Sequence, residues 1–206
     1  SNIIDSFDVL YQPSDSILPH VRTDIIRYLR DSNTVNIPRF QFNHFSRLSR
    51  DIYTRFSAGI FEEMFGGYGF EVLYRPFYSL WALGFEAYDV KQRAYKQNFD
   101  FIDYETVTGH ATFYLTEPKS GILFKFIGGR YLAKDSGITI DASRRFNSGL
   151  RIGAYFSLTD ISEEEFGEGS FDKGFYIQIP LDLFRKKYTA SHTNFKLRPL
   201  TRDGGQ

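Results

Sequence analysis

The residues whose types and spacing could do chemistry crowd into 163 to 176, EEEFGEGSFDKGFY. Glu163, Glu164, Glu165, Glu168 and Asp172 offer hard oxygen donors, and the glycines between them let a chain wrap tightly, as calcium requires. Their spacing is not that of an EF-hand loop. Paired carboxylates also hydrolyse glycosides, one donating a proton while the other attacks or activates water. That role needs an apolar pocket to hold one carboxyl protonated, and none is evident around this stretch. The plainest reading is a solvated charge run in a connection between two strands. His20, His44, His110 and His192 are scattered, with no HExxH or HxH grouping. With no cysteine in the chain, thiolate zinc sites, cysteine nucleophiles and disulfides are excluded. A nucleophilic hydrolase would need His110 or His44 to meet a serine, and no partner is fixed by the sequence. No cofactor or metal is expected, with calcium on the acidic stretch as the alternative.

The totals narrow the classes further. Twenty-five Lys+Arg balance twenty-five Asp+Glu, so no net field draws nucleic acid, and none is expected as a partner. Aromatic residues make up 18 % of the 206, with 22 Phe and 14 Tyr. No window holds the roughly 18 consecutive apolar residues of a membrane helix. SNIIDSFDVL has neither the basic nor the apolar region of a signal peptide, which is therefore absent or already removed.

From about residue 38 the pattern has period two, the mark of strands with one apolar and one polar face. At 104 to 116, Tyr104, Thr106, Thr108, His110, Thr112, Tyr114 and Thr116 fall on one face, and Val107, Gly109, Ala111, Phe113 and Leu115 on the other. The same alternation returns at 150 to 159 and 175 to 184. Further strands are expected at 39 to 48, 52 to 61, 69 to 76, 80 to 92, 121 to 132, 138 to 146 and 193 to 199, ten in one antiparallel series.

Two features choose between a soluble sandwich and a membrane barrel. Short turns at 49 to 51, 76 to 79, 117 to 120 and 147 to 149 are expected to alternate with longer connections at 62 to 67, 94 to 101, 132 to 137 and 162 to 173, as in outer-membrane barrels. Several strands also reach eleven to thirteen residues, whereas soluble strands average about five or six and tilted membrane strands need about nine to eleven. The expected fold is all-β, an antiparallel up-and-down transmembrane β-barrel preceded by a short helix. Its charged face (Glu71, Arg75, Glu86, His110, Lys125, Asp141, Arg145, Arg151, Asp182) would line a wet lumen.

Residues 1 to 36 form a separate N-terminal segment, and 37 to 206 the barrel portion. FDVLYQP could add a strand. VRTDIIRYLRDSN puts Val21, Ile25, Tyr28 and Leu29 on one helical face, with Asn33 as the stop, and suggests a helix packed across a barrel end. If short turns are periplasmic, both ends of the series lie on the loop side, so the chain is expected to be part of a larger barrel.

Four strings carry a resemblance: GIFEEMFGGYGFEVLYRPF at 59 to 77, VKQRAYKQNFDFIDYETVTGHATFY at 90 to 114, the long run from GGRYLAKDSG to PLDLF at 128 to 184, and the terminal RPLTRDGGQ. Together, in this order, they resemble the YjbH/GfcD family, Gram-negative outer-membrane proteins of exopolysaccharide and capsule operons. The resemblance implies an outer-membrane location, a longer protein with more than one barrel, and a non-catalytic role in export or surface assembly of a polysaccharide. It brings no catalytic residues. Lipid anchoring needs a lipobox cysteine, which this chain does not contain.

Implied partners are the glycan, outer-membrane lipid, other polysaccharide-operon proteins and the rest of the barrel. Sugars are held by aromatic faces and planar polar groups, so the candidate glycan contacts are Tyr104, His110, Arg130, Tyr131, Arg145, Arg151, Tyr155 and Tyr176. Any barrel lumen is polar, however, and tyrosine girdles are ordinary membrane anchors. Two alternatives stay open: a polysaccharide-modifying enzyme using the 162–173 loop, and a purely structural scaffold.

Overall fold

The computed structural model describes residues 19–31, 36–160, 171–181, 192–197 and 203–205. They form a helix, α1 (Ile25–Asp31), and ten strands: β1 (Phe40–Arg47), β2 (Ile52–Ile60), β3 (Phe65–Tyr74), β4 (Trp81–Arg93), β5 (Phe101–Glu117), β6 (Ile122–Arg130), β7 (Ser136–Arg145), β8 (Arg151–Thr159), β9 (Phe171–Pro180) and β10 (His192–Leu197). The strands follow sequence order in one sheet, every neighbouring pair antiparallel. A meander needs only hairpin connections, which is why local alternation and turn signals suffice to lay it out.

The sheet buries its polar face and exposes its apolar one. Thr112 is 8 % exposed beside Phe113 at 37 %, and Ser157 is 1 % exposed beside Phe156 at 39 %. Phe42, Phe70, Phe85, Val107, Ile138, Leu158 and Phe175 are exposed in the same way, while Thr54, Ser57, Thr106, Thr108, Thr139 and Asp141 are buried.

Two expectations need correction. β3 begins at Phe65 and β9 at Phe171, so part of 62–67 and part of 162–173 are strand, not loop. Their glycines mislead because Gly66 and Gly67 sit in strand where a neighbouring backbone passes close; a Cβ on Gly67 would lie 2.1 Å from the Asp89 carbonyl. The length alternation also fails: the 61–64 connection is four residues, whereas the 75–80 turn is six. Among the described residues β1 pairs with β2 alone and β10 with β9 alone, leaving an open sheet with two edges.

The two ends differ in packing rather than loop length. At the end bearing the 61–64, 94–100 and 131–135 connections, α1 lies against the polar face, and Val21, Tyr28, Met64, Phe65, Val90 and Ala133 form a small apolar core. The register of β4 and β5 shifts between Lys91 and Arg93, and this irregularity turns Arg93 inward. Its guanidinium is fully buried and donates to four backbone carbonyls, those of Glu62 (3.0 Å), Glu63 (3.1 Å), Ile37 (2.9 Å) and Asn98 (2.9 Å). The Arg93 carbonyl accepts the Tyr28 hydroxyl, and Gln97 Nε2 donates to the Tyr28 carbonyl at 2.8 Å. One side chain thus ties two connections and the approach to β1 together, and the backbone carbonyl of the same residue holds the helix.

Arg93→Met removes these bonds and leaves buried carbonyls without donors. It is expected to lower the unfolding free energy by about 3 kcal/mol, and to open 94–100 to protease. An unfolding free energy from urea titration lowered by less than about 0.5 kcal/mol would show that the end holds without the guanidinium.

Candidate functional site

Alternate residues of β4 to β9 converge on the concave polar face, where a cavity of about 680 Å³ is lined by His110, Lys125, Tyr131, Asp141, Arg151, Tyr155, Asp172, Tyr176 and, from the N-terminal segment, Arg22. The charges are largely paired. His110 Nδ1 lies 3.0 Å from Glu86 Oε1, Lys125 Nζ 3.6 Å from Asp141 Oδ1, and Arg22 Nη1 2.5 Å from Glu62 Oε1. Tyr131, Thr139 and Ser157 form a hydroxyl chain with 2.6 Å at each step.

Cross-strand glycines set how the tyrosines lie. Gly69 pairs with Tyr88 and Gly153 with Tyr176 in register, and a Cβ at either glycine would stand 2.1 Å or 2.4 Å from the ring. Each ring lies flat in the space a side chain would fill, so the Tyr88 hydroxyl reaches a carboxylate on the neighbouring strand and the Tyr176 hydroxyl one on the strand beyond its neighbour. The Tyr88 hydroxyl meets Glu71, itself paired with Arg55, and the Tyr176 hydroxyl donates to Asp141 Oδ2 at 2.9 Å. The result is a wall of aromatic faces, hydroxyls and compensated charges, which suits contact with polyhydroxylated molecules.

Five of the eight candidate glycan contacts meet in this cavity: His110, Tyr131, Arg151, Tyr155 and Tyr176. Tyr104 does not; it donates to the Leu132 carbonyl at 2.6 Å and packs edge-on to Phe65 in the capped end. Arg130 and Arg145 are exposed at the ends of β6 and β7, outside the cavity lining. Asp172 lies in β9, 1 % exposed, rather than in an open loop. Glu163, Glu164, Glu165 and Glu168 lie outside the described residues. Among the described residues no three His, Asp or Glu side chains group to hold a metal.

Sequence reasoning missed a latch at the capped end. Asp203 is 1 % exposed; its Oδ1 accepts the backbone N–H groups of Arg22 (2.6 Å) and Thr23 (2.9 Å), and its Oδ2 accepts the Thr23 hydroxyl (2.7 Å). The Gly205 N–H donates to Asp135 Oδ2 at 2.7 Å. Gly205 has φ +70, and a Cβ there would lie 3.0 Å from the Ser157 Cβ. These contacts span up to 181 positions in sequence, so no local pattern announces them.

With this geometry in view, comparison with known proteins is informative. A family profile described as "Exopolysaccharide biosynthesis protein YbjH" matches residues 1–206. The chain belongs to the YjbH family. It is 44 % identical over 210 residues to "Uncharacterized lipoprotein YjbH" of Escherichia coli (strain K12), covering 100 % of this chain and 30 % of that protein. The chain therefore spans under a third of that relative's length. No solved structure matches. Family membership links the chain to exopolysaccharide biosynthesis, as the resemblance in its strings implied.

The latch has a pH signature. Burial raises the Asp135 carboxyl above its ordinary 3.8, and nearby Asp160 adds to the rise, while the Gly205 N–H opposes it. A raised native value means stability that is full below the unfolded-state value and is lost as pH climbs through the native one. Asp135→Asn keeps an acceptor for Gly205 and carries no charge. It is expected to raise the unfolding midpoint at pH 7 by a few degrees, with the gain vanishing below about pH 4. Equal gains at both pH values would show that ionisation of Asp135 is not the cause.

Proposed function

We propose that this chain is a membrane-spanning β-barrel portion of an outer-membrane protein that exports or assembles exopolysaccharide at the cell surface, acting by contact rather than catalysis. The observation that carries the reading is the inverted sheet: phenylalanines face outward and threonines, serines and aspartates inward. In water that arrangement is unfavourable, since each apolar side chain left exposed forgoes about 1.5–3 kcal/mol of burial. In lipid it is the favourable one. Strand length agrees, because β2 to β9 run from nine to 17 residues and a tilted span needs about nine to eleven. A row of half-exposed rings on the apolar face, Tyr74, Trp81, Phe113 and Phe126, has the character of an interfacial girdle.

Inside, the cavity of His110, Tyr131, Arg151, Tyr155 and Tyr176 is the surface that would meet glycan. Its charges are largely compensated, so it suits a neutral or mildly anionic polymer. Family membership in exopolysaccharide biosynthesis supports that substrate class.

The lipid-facing assignment is tested by single cysteines carrying an environment-sensitive dye. At Phe113, Ile152 and Phe156 the dye is expected to be quenched by doxyl-labelled lipid, and at Tyr155 it is expected to stay unquenched. Equal quenching at Tyr155 and Phe156, or a protein that stays dispersed without detergent, would sink the assignment. Contact with glycan is tested by binding of the cognate exopolysaccharide to the full-length protein. Arg151→Gln and Tyr176→Phe are each expected to weaken it by roughly five- to tenfold, from about 1 kcal/mol per lost hydrogen bond. New reducing ends on the polymer would show catalysis instead.

A further inference from the structure

The end of the sheet opposite the helix carries the connections 48–51, 75–80, 118–121 and 146–150. Although the chain as a whole has no net charge, this end is cationic: Arg47, Arg50, Arg75, Lys119, Arg144 and Arg145 are exposed there, against Asp51 and Glu117. Neither acid neutralises an arginine. Asp51 Oδ1 accepts the Phe77 N–H at 3.1 Å, and Glu117 Oε1 accepts the Lys119 N–H at 2.9 Å. Among the described residues none of the five arginines forms an ion pair.

Aromatic rings accompany these cations. The Arg50 guanidinium sits 4.4 Å from the Phe77 ring centre and Arg144 5.0 Å from that of Phe146, on two separate hairpins. Phe77 and Tyr78 lie 4.2 Å apart between centroids with their rings tilted by 57°, and stand 61 % and 91 % exposed. The 48–51 and 75–80 turns are fixed to each other, because the Asp51 carbonyl also accepts the Arg75 N–H at 2.8 Å. Between them a cavity of about 740 Å³ is lined by Arg47, Arg50, Arg75, Tyr53, Phe77 and Tyr78. An aqueous surface gains nothing from adjacent exposed rings and unpaired guanidinium groups. A headgroup layer satisfies both, since rings prefer the interface and guanidinium forks bind phosphate in two-point fashion.

We propose that this end docks on the headgroups of anionic phospholipids, with Arg50 and Arg75 holding the phosphate and Phe77 and Tyr78 seated among the glycerol groups. The proposal rests on the membrane-spanning reading above and specifies which lipid charge that protein selects. Charge complementarity picks the occupant: the patch has cations without counterions, beside the girdle of Tyr74 and Trp81 that continues onto the apolar face.

The test uses the full-length protein in phosphatidylcholine vesicles, with spin-labelled phosphatidylglycerol or phosphatidylcholine as the probe. Motionally restricted lipid is read by electron paramagnetic resonance. Restricted phosphatidylglycerol is expected to exceed phosphatidylcholine by about fivefold or more, the size expected of cations near a charged headgroup. The excess should shrink at high salt. The Arg50→Gln/Arg75→Gln double variant should abolish most of the preference while the total restricted lipid is unchanged, and Arg130→Gln at the opposite end should preserve it. Restricted lipid with no headgroup preference, or a preference untouched by the double variant, overturns the proposal and leaves the membrane reading standing. No restricted lipid of either kind overturns both. Soluble exopolysaccharide that removes the preference would assign these arginines to glycan and overturn the lipid assignment.

Discussion

A buried guanidinium without a carboxylate partner organises the capped end of this molecule. Removing a cation from water is costly, and Arg93 offsets that cost with carbonyl dipoles from Ile37, Glu62, Glu63 and Asn98 rather than with an opposite charge. Carbonyls belong to the backbone, so satisfying the charge fixes chain paths. That is why the approach to β1 and the 61–64 and 94–100 connections take their positions from one side chain, while the backbone carbonyl of the same residue receives the Tyr28 hydroxyl of the helix. The helix has only seven residues, too few to be stable alone, and it persists because Tyr28 is clasped between Arg93 and Gln97. Asp203 then anchors on the segment leading into that helix, and Gly205 reaches Asp135 beside the cavity.

The cavity follows from a second constraint, the close approach of tyrosine rings to glycine. An inward face made of large upright side chains would fill the concavity. Flattening Tyr88 over Gly69 and Tyr176 over Gly153 keeps the wall thin and delivers each hydroxyl to a carboxylate. The same residues therefore stiffen the sheet and leave room in front of it. Glycine costs strand stability by itself, and the cross-strand ring restores contact area that the missing side chain gives up.

Most of the sheet was legible because its information is local. Threonines and tyrosines alternate with apolar residues over 104 to 116 and 150 to 159, and a meander asks for nothing beyond such alternation and turns. Legibility failed where glycine carried a second meaning: in Phe65-Gly66-Gly67 it marks strand under a crowded neighbour, yet reads as loop. Connection length was equally deceptive, since what separates the two ends is packing around Arg93, not residue count. His110, Arg151, Tyr155 and Tyr176 were legible as residues of one inward face from alternation alone. Arg22, Asp135 and Asp203 were not, because each acquires its role from a partner that is distant in sequence. The relation to exopolysaccharide biosynthesis came from four ordered strings rather than from any site residue.

The compensated charges of the cavity also bear on what kind of contact it can make. Lys125 with Asp141 and Arg22 with Glu62 leave little net field to trap a charged repeat unit. A surface that held a polymer strongly at one point would stop it from moving on, whereas many weak contacts let each unit leave as the next arrives. Aromatic faces and hydroxyls distributed over several strands provide contacts of that weak, repeated kind. On the proposed reading, the pairing of charges inside and the unpaired arginines at the turn end are complementary choices: the inner wall avoids fixing what passes it, and the outer rim fixes the protein in its surroundings.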